Sequence, residues 1–343
     1  MGNRVKIKDI AEKCGLSNTL VSLVLNNKAS LHGIKPDTQE KVLFIARQMG
    51  YFENIPAGKR IPRTPAGNIV GMIVPDLQNH FLFEIGPLLN QAFASIGLTF
   101  CVISKNKNEE SFVTVLQELK KIFSGLILYG DAADDLTVRT LNKSHYPFVV
   151  LEKKITRQRI NEVNSDYLEA CRLVAMHILK LDYKRISIIE KKDCSSCMIE
   201  TRLLVESMQK IIPGLSISKY ALAGNINPDD ASDTGELIKA LRPPEASQLF
   251  VVKHSELVYP LLSLLKKKRI RVPSDIALIA MDNGAGFSLL DPPVTRINRK
   301  YASLAAKTSQ LLWSEVKNNG RSKYKRSVKI TPELIVEKSC GSV

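Results

Sequence analysis

Asn18, Thr19, Ser22 and Asn26 recur at helical spacing in the stretch CGLSNTLVSLVLNN (residues 14–27), with Leu23 among them. Leu20, Val21, Val24 and Leu25 recur on the other side. A helix of this pattern buries one stripe and turns amides, hydroxyls and one leucine outward. Asparagine pairs with adenine, threonine and serine adapt to several partners, and an apolar side chain can touch a thymine methyl. The outward stripe therefore suits base edges in a major groove, where a recognition helix presents its N-terminal residues. The competing reading is the solvated face of a small helical bundle.

Other reactive residue types lead nowhere as firm. Cys194 and Cys197 form the one close thiol pair, but a structural zinc site wants four ligands and no second CxxC or CxxH follows. They read as incidental thiols on a loop. KKKR (266–269) sits at the end of a helical pattern, where cations favour the helix C-terminus and solvent. The chain has no GxxxxGK, GxGxxG, HExxH or GxSxG. No catalytic residue, metal site or cofactor is expected.

The elements that must position the outward stripe are legible around it. A first helical pattern, Ile7 to Cys14, ends at Gly15; the second follows after a tight turn with Ser17 as its N-cap. A third starts with Pro36 in its first turn, buries Val42, Ile45, Ala46 and Met49, and stops at Gly50. Two helices joined by so short a turn make a helix-turn-helix. Residues 54–67, NIPAGKRIPRTPAG, read as a linker rich in proline, glycine and basic residues. From residue 68 the pattern becomes strand–helix alternation, through NIVGMIV, LTFCVI, GLILYG and PFVVL and then EVNSD, RISIIE, QLFVV and IALIAMD. That alternation predicts two doubly wound parallel lobes with a ligand cleft at the carboxyl ends of their strands.

The expected fold class is α plus α/β: a three-helix helix-turn-helix headpiece (1–53), a linker or hinge (54–67) and a two-lobed core (68–343). The first lobe is placed at about 68–161 with 295–322, the second at about 162–294 with 323–343. Net charge over the 343 residues is +15, and residues 1–68 alone hold 11 basic against 5 acidic side chains. A basic headpiece on a proline-rich tether favours DNA as the polyanion it meets. The N-terminus lacks the apolar run of a signal peptide and no stretch suits a membrane span, so a cytoplasmic protein is expected.

Residues 5–52, VKIKDIAEKCGLSNTLVSLVLNN…TQEKVLFIARQMGYF, closely resemble the headpiece of the LacI-type (lac repressor) transcriptional regulators. The resemblance runs on through GNIVGMIVPDLQNHF, VNSD with MHILKLDYKRISII, VPSDIALIAMDN, LLDPPVTRI and TPELIVEKS. It implies a repressor binding a pseudo-palindromic operator of double-stranded DNA as a homodimer, with a small-molecule effector between lobes like those of periplasmic binding proteins. Asn18, Thr19 and Leu23 then fall on specificity positions, while Ser17 and Ser22 anchor the helix or the phosphate backbone, with Asn26 on the same stripe. The effector-lining positions become Asp76, Asn79 and Phe81, then Glu152, Arg202, the pair Lys253–His254, and Asp282.

Departures from the family pattern are as informative. Lys6 stands where a capping threonine is usual, Leu23 where a polar reader is common, and the loop SLHGI (30–34) is longer than usual. In the linker, proline and glycine disfavour the family's hinge helix. Either Ile61 still serves as a minor-groove wedge, or the linker stays extended and Lys59, Arg60 and Arg63 enter the minor groove electrostatically. Lys253–His254 replaces an Asn-Asp pair, adding positive charge and removing a carboxylate. That points to an anionic effector such as a sugar phosphate, or else to a drifted pocket that binds a neutral sugar weakly or nothing, leaving an effector-independent regulator. A two-lobed solute-binding protein is the rival from another class; it predicts a signal peptide and no headpiece.

Overall fold

A computed structural model describes residues 5–25, 29, 33–34, 38–39, 41–42, 45–46, 49, 51, 68–77, 80–105, 109–192, 197–222, 235, 240–241, 246–284 and 286–341. The chain divides into two compact units, Met1–Gly67 and Asn68–Val343.

In the first unit, α1 (Ile7–Cys14) and α2 (Asn18–Leu25) are joined by a turn at Gly15, whose φ of 68° is the left-handed conformation a helix stop of this kind uses. The Leu16 amide closes the turn by donating to the Ala11 carbonyl at 3.0 Å. Lys6 precedes α1 and its ammonium has no acceptor to offer. Asp9, at the third helical position, supplies the missing part by accepting the Lys6 backbone N–H at 2.7 Å, and its carboxylate lies at the positive helix end. Ser17 caps α2: its Oγ accepts the Leu20 amide at 3.2 Å. Ile10, Ala11 and Cys14 of α1 pack with Val21, Val24 and Leu25 of α2 and with Val42 and Ala46, all buried. Alternation of buried and exposed positions thus follows the spacing read from the sequence.

The second unit is built on two six-stranded sheets. The first holds β1 (Ile69–Val74), β2 (Thr99–Ser104), β3 (Gly125–Tyr129), β4 (Phe148–Leu151), β5 (Glu162–Ser165) and β11 (Ser327–Ile330) in the order β11-β5-β4-β3-β1-β2, every pair parallel. The second holds β6 (Arg185–Lys191), β7 (Ser216–Leu222), β8 (Leu249–Val252), β9 (Ala277–Ala280), β10 (Thr295–Asn298) and β12 (Glu333–Ile335) in the order β12-β10-β9-β8-β6-β7. Only the β10–β12 pair of that sheet is antiparallel. Strands β4, β8 and β9 are buried at every position, as strands covered on both faces must be.

Helices α3 (His80–Ala94) and α9 (Tyr301–Lys317) cover one face of the first sheet through Phe81, Ile85, Leu89 and Phe93 with Leu304 and Leu312. Helices α4 (Glu109–Ile122) and α5 (Asp135–Lys143) cover the other. In the second lobe α6 (Tyr167–Leu181) and α7 (Cys197–Ile211) lie on one face and α8 (Val258–Lys267) on the other. Lys266 and Lys267 stand exposed in the last turn of α8, a solvated helix end.

The lobe boundaries differ from the sequence reading. Residues 162–165 and 327–330 pair within the first sheet, and 295–298 within the second. The chain finishes each strand before it crosses, so it changes lobes just after β5, after β10 and after β11. Crossing at the carboxyl end keeps each strand's ladder hydrogen bonds intact and puts every crossover beside the cleft.

Candidate DNA-reading helix and inter-lobe cleft

On α2, Asn18 and Thr19 are exposed, and Ser22 and Leu23 are half-buried. Ser17 is exposed with its hydroxyl committed to the helix cap. The capped, core-packed helix thus holds Asn18 and Thr19 in its first turn, free to face outward. Leu23 is not among the side chains packed on the headpiece core, as described. Asn26, Lys59, Arg60 and Ile61, with the linker as a whole, lie outside the described residues.

At the carboxyl ends of the two sheets the geometry converges on a residue the sequence reading missed. Arg299, on the crossover after β10, reaches Glu152 of the first lobe with one guanidinium nitrogen. It reaches Asp282 of the second lobe with another at 3.0 Å, and donates from Nε to Ser165 Oγ at 3.2 Å. Its guanidinium carbon stands 5.4 Å from the centroid of the Phe81 ring, a cation–π distance. Phe81 stacks on Tyr129 at 4.4 Å and meets Tyr301 edge-on at 5.3 Å. Glu152, held at φ 57°, uses its other oxygen to accept from the Ser165 amide at 2.6 Å and hydroxyl at 2.9 Å. The Tyr301 hydroxyl donates to Asp282 at 2.5 Å. Burial pushes the Asp282 carboxyl up to about 7, with Glu256 and Glu200 adding to the rise and the Tyr301 and Asn283 hydrogen bonds opposing it.

A second cluster lies on the second lobe. Lys253 follows β8 with only 1% of its side chain exposed, and donates to Thr201 Oγ1 at 2.7 Å. Its ammonium is 3.6 Å from Glu200 and 3.7 Å from Glu190, and Thr201 in turn donates to Glu190. Burial lowers the Lys253 pKa against the pull of these carboxylates, and raises that of Glu200. Burial also drives His254 down to about 4, with Lys253 and Lys191 lowering it further, so the imidazole is neutral at pH 7. The positive charge of the Lys253–His254 pair therefore rests on Lys253 alone, which faces two carboxylates, while His254 is neutral.

Of the lining positions expected from the sequence, Phe81, Glu152 and Asp282 come together around Arg299, while Lys253 and His254 form the second cluster. Asp76 is exposed in the loop after β1, and Asn79 lies outside the described residues. Arg202 joins neither cluster: its side chain is 80% exposed and its guanidinium pairs with Glu206, one turn along the same helix, at 2.7 Å. Cys194 and the Cys197 side chain are outside the described residues. Arg299, Tyr301, Ser165, Glu190, Glu200 and Thr201 went unrecognised. A charged residue immediately after the strand in INRKY was the available signal for the first of these, because a crossover beside a cleft is where such a side chain can reach both lobes.

The lacI family of bacterial regulatory proteins matches residues 6–54, and the periplasmic binding protein-like domain matches residues 177–340. The HTH-type transcriptional repressor PurR of Haemophilus influenzae is 24% identical over 345 residues, spanning 98% of this chain and 99% of that protein. The HTH-type transcriptional regulator DegA of Bacillus subtilis is 23% identical over 352 residues, 98% of each. Among solved structures, a LacI family transcriptional regulator from Enterococcus faecium with bound ribose superposes with a TM-score of 0.67 at 18% identity, covering 80% of this chain and 99% of that one. The transcriptional regulator CelR in complex with cellobiose gives 0.65 at 17%, covering 98% and 100%. These likenesses agree with the capped helix-turn-helix and the paired parallel sheets, and the chain joins a headpiece of the lacI family of bacterial regulatory proteins to a periplasmic binding protein-like domain.

Proposed function

We propose that the chain is a homodimeric repressor of a pseudo-palindromic operator in the cytoplasm, with an uncharged sugar as the effector in its inter-lobe cleft. The observation that carries the effector class is the charge balance at the strand ends. Lys253 stands between Glu190 and Glu200, Arg299 between Glu152 and Asp282, and His254 is neutral, so neither cation of the two clusters among the described residues is left over for a phosphate. Hydroxyl groups suit carboxylates and an ammonium that are already matched, and the half-buried Tyr129 ring, backed by the buried Phe81, suits the apolar face of a sugar. Ribose and cellobiose in the similar regulators support the same class. On α2, Asn18, Thr19 and Leu23 read the half-site and Ser22 contacts the backbone. Binding, not catalysis, is the role of every residue named.

Selection of bound DNA from a random pool, repeated with neutral and phosphorylated sugars, tests both parts. An enriched palindrome whose affinity changes with a neutral sugar supports the reading. Enrichment of no palindrome overturns the operator claim, and a response to sugar phosphates alone overturns the effector class.

A further inference from the structure

The carboxyl ends of the first sheet form the cleft; its amino ends carry something else. Two basic segments, KITRQR (154–159) and RSKYKR (321–326), lead into the amino ends of β5 and β11. Between them and the end of α5 lies a cavity of about 580 Å³, lined among others by Asn142, His145, Arg159, Arg321, Lys323 and Tyr324. We propose that this cavity is a second ligand site, separate from the cleft, for a nucleotide-sized molecule bearing phosphate.

The frame that presents these side chains is rigid. Glu315, 1% exposed, accepts from Lys325 at 2.6 Å and from Asn161 at 2.7 Å, tying the two basic segments to α9. Asn161 Oδ1 also accepts the Arg326 amide at 2.8 Å, and Asn142 donates to Gln158 at 3.0 Å. Gly320 packs so tightly that a Cβ there would run into the His145 carbonyl, and its φ of 72° suits glycine. The acidic groups nearby, Glu315 and Glu162, are buried and spent on internal hydrogen bonds.

What the frame leaves over is positive and polar. Arg159, Arg321 and Lys323 are exposed and form no ion pair among the described residues. The Ser322 Oγ, in the cavity lining, is buried and has no hydrogen-bond partner among the described residues, a condition proteins seldom tolerate without a ligand or solvent to fill it. Arginine forks match phosphate oxygens in geometry as well as charge. Tyr324, 73% exposed, and His145 offer ring surfaces beside them, and the volume lies in the range of small-molecule sites and well above that of one phosphate. Arginines, a hydroxyl and an aromatic plane around one cavity are the parts that hold a nucleotide.

The test is calorimetry on the full chain with ATP, inorganic pyrophosphate and adenosine. ATP and pyrophosphate should bind and adenosine should not. R159Q with R321Q should weaken ATP by at least about tenfold, while K253M in the cleft should leave it unchanged. No binding of either phosphate compound, equal binding by adenosine, or loss through K253M overturns the proposal. So does a smaller salt dependence of DNA binding in the double variant without ATP binding, since the arginines would then be contacts to the DNA backbone. The calorimetric outcome depends on neither the operator nor the cleft effector, so its failure is distinct from failure of the proposed function.

Discussion

Leu23 shows how one side chain can be read in the sequence and still need an experiment. It stands on the outward stripe, half-buried, and is not among the described side chains that pack on the headpiece core. If it faces a base edge, its partner is apolar, a thymine methyl being the one the major groove offers. Leu23→Arg should then change the selected half-site toward guanine at one position while thermal unfolding of the headpiece stays put. An unchanged preference would make it a piece of exposed core. Asp282 gives a second residue-scale prediction. Its folded pKa of about 7 exceeds the ordinary 3.8, so the folded protein holds that proton more tightly than the unfolded chain. Stability contributed by Asp282 is therefore lost as pH rises from about 4 to about 7. His254 works the other way, since its folded value of about 4 lies below 6.5 and stability falls as acid is added through that window. Comparing wild type with Asp282→Asn cancels the histidine. The urea midpoint of the wild type should drop relative to the variant between pH 4.5 and 7.5, and a constant gap refutes the assignment.

At the scale of elements, the spacing of apolar residues carried most of the information. Helices α1 and α2, their turn and the Ser17 cap lie where the sequence puts them, because each is fixed by local chemistry: a stripe, a glycine, a hydroxyl. The crossovers were misplaced by one strand each, because a strand's sheet membership depends on partners remote in sequence, as β5 and β11 illustrate. The cleft was half legible. Glu152 and Asp282 follow strands that end at the cleft, whereas Arg299 depends on two lobes meeting, which no local pattern encodes. Arg202 stands apart from both clusters for the same reason in reverse, as a partner one turn away in its own helix pairs with it. Lys6 yields a prediction at this scale. Asp9 satisfies the Lys6 amide, but the Lys6 side chain accepts nothing in return. Lys6→Thr should complete the reciprocal pair and stabilise the headpiece by about 1 kcal/mol, and Asp9→Ala should cost a similar amount. Amide hydrogen exchange in α1 reads both, and equal protection in all three proteins would deny Asp9 its capping role.

For the whole molecule, Arg299 matters because it binds the lobes to each other at their hinge. Glu152 and Asp282 belong to different sheets, and the guanidinium between them, with its hold on Ser165, ties a strand end on each side to the crossover that separates them. Side-chain exposures of 22% for Arg299, 9% for Glu152 and 16% for Asp282 put this network between a surface pair and a buried one. Above about pH 7, where Asp282 is ionised, removing the cation alone strands two carboxylates together, whereas removing all three charges does not. Arg299→Met should accordingly destabilise the core by about 3 kcal/mol, and the triple variant Arg299→Met, Glu152→Gln, Asp282→Asn should recover most of that loss. A loss below about 1 kcal/mol would reduce the network to an ordinary surface bridge. The single variant should also open the lobes, seen as a larger radius of gyration in solution scattering. Linkage then makes a sharper demand. An effector that enters the cleft and draws Glu152 or Asp282 away from Arg299 biases the lobes in the same sense as the substitution does. DNA affinity must shift in one direction for both, and a ligand that occupies the cleft but moves affinity opposite to Arg299→Met would show that Arg299 does not set the lobe arrangement that DNA reads.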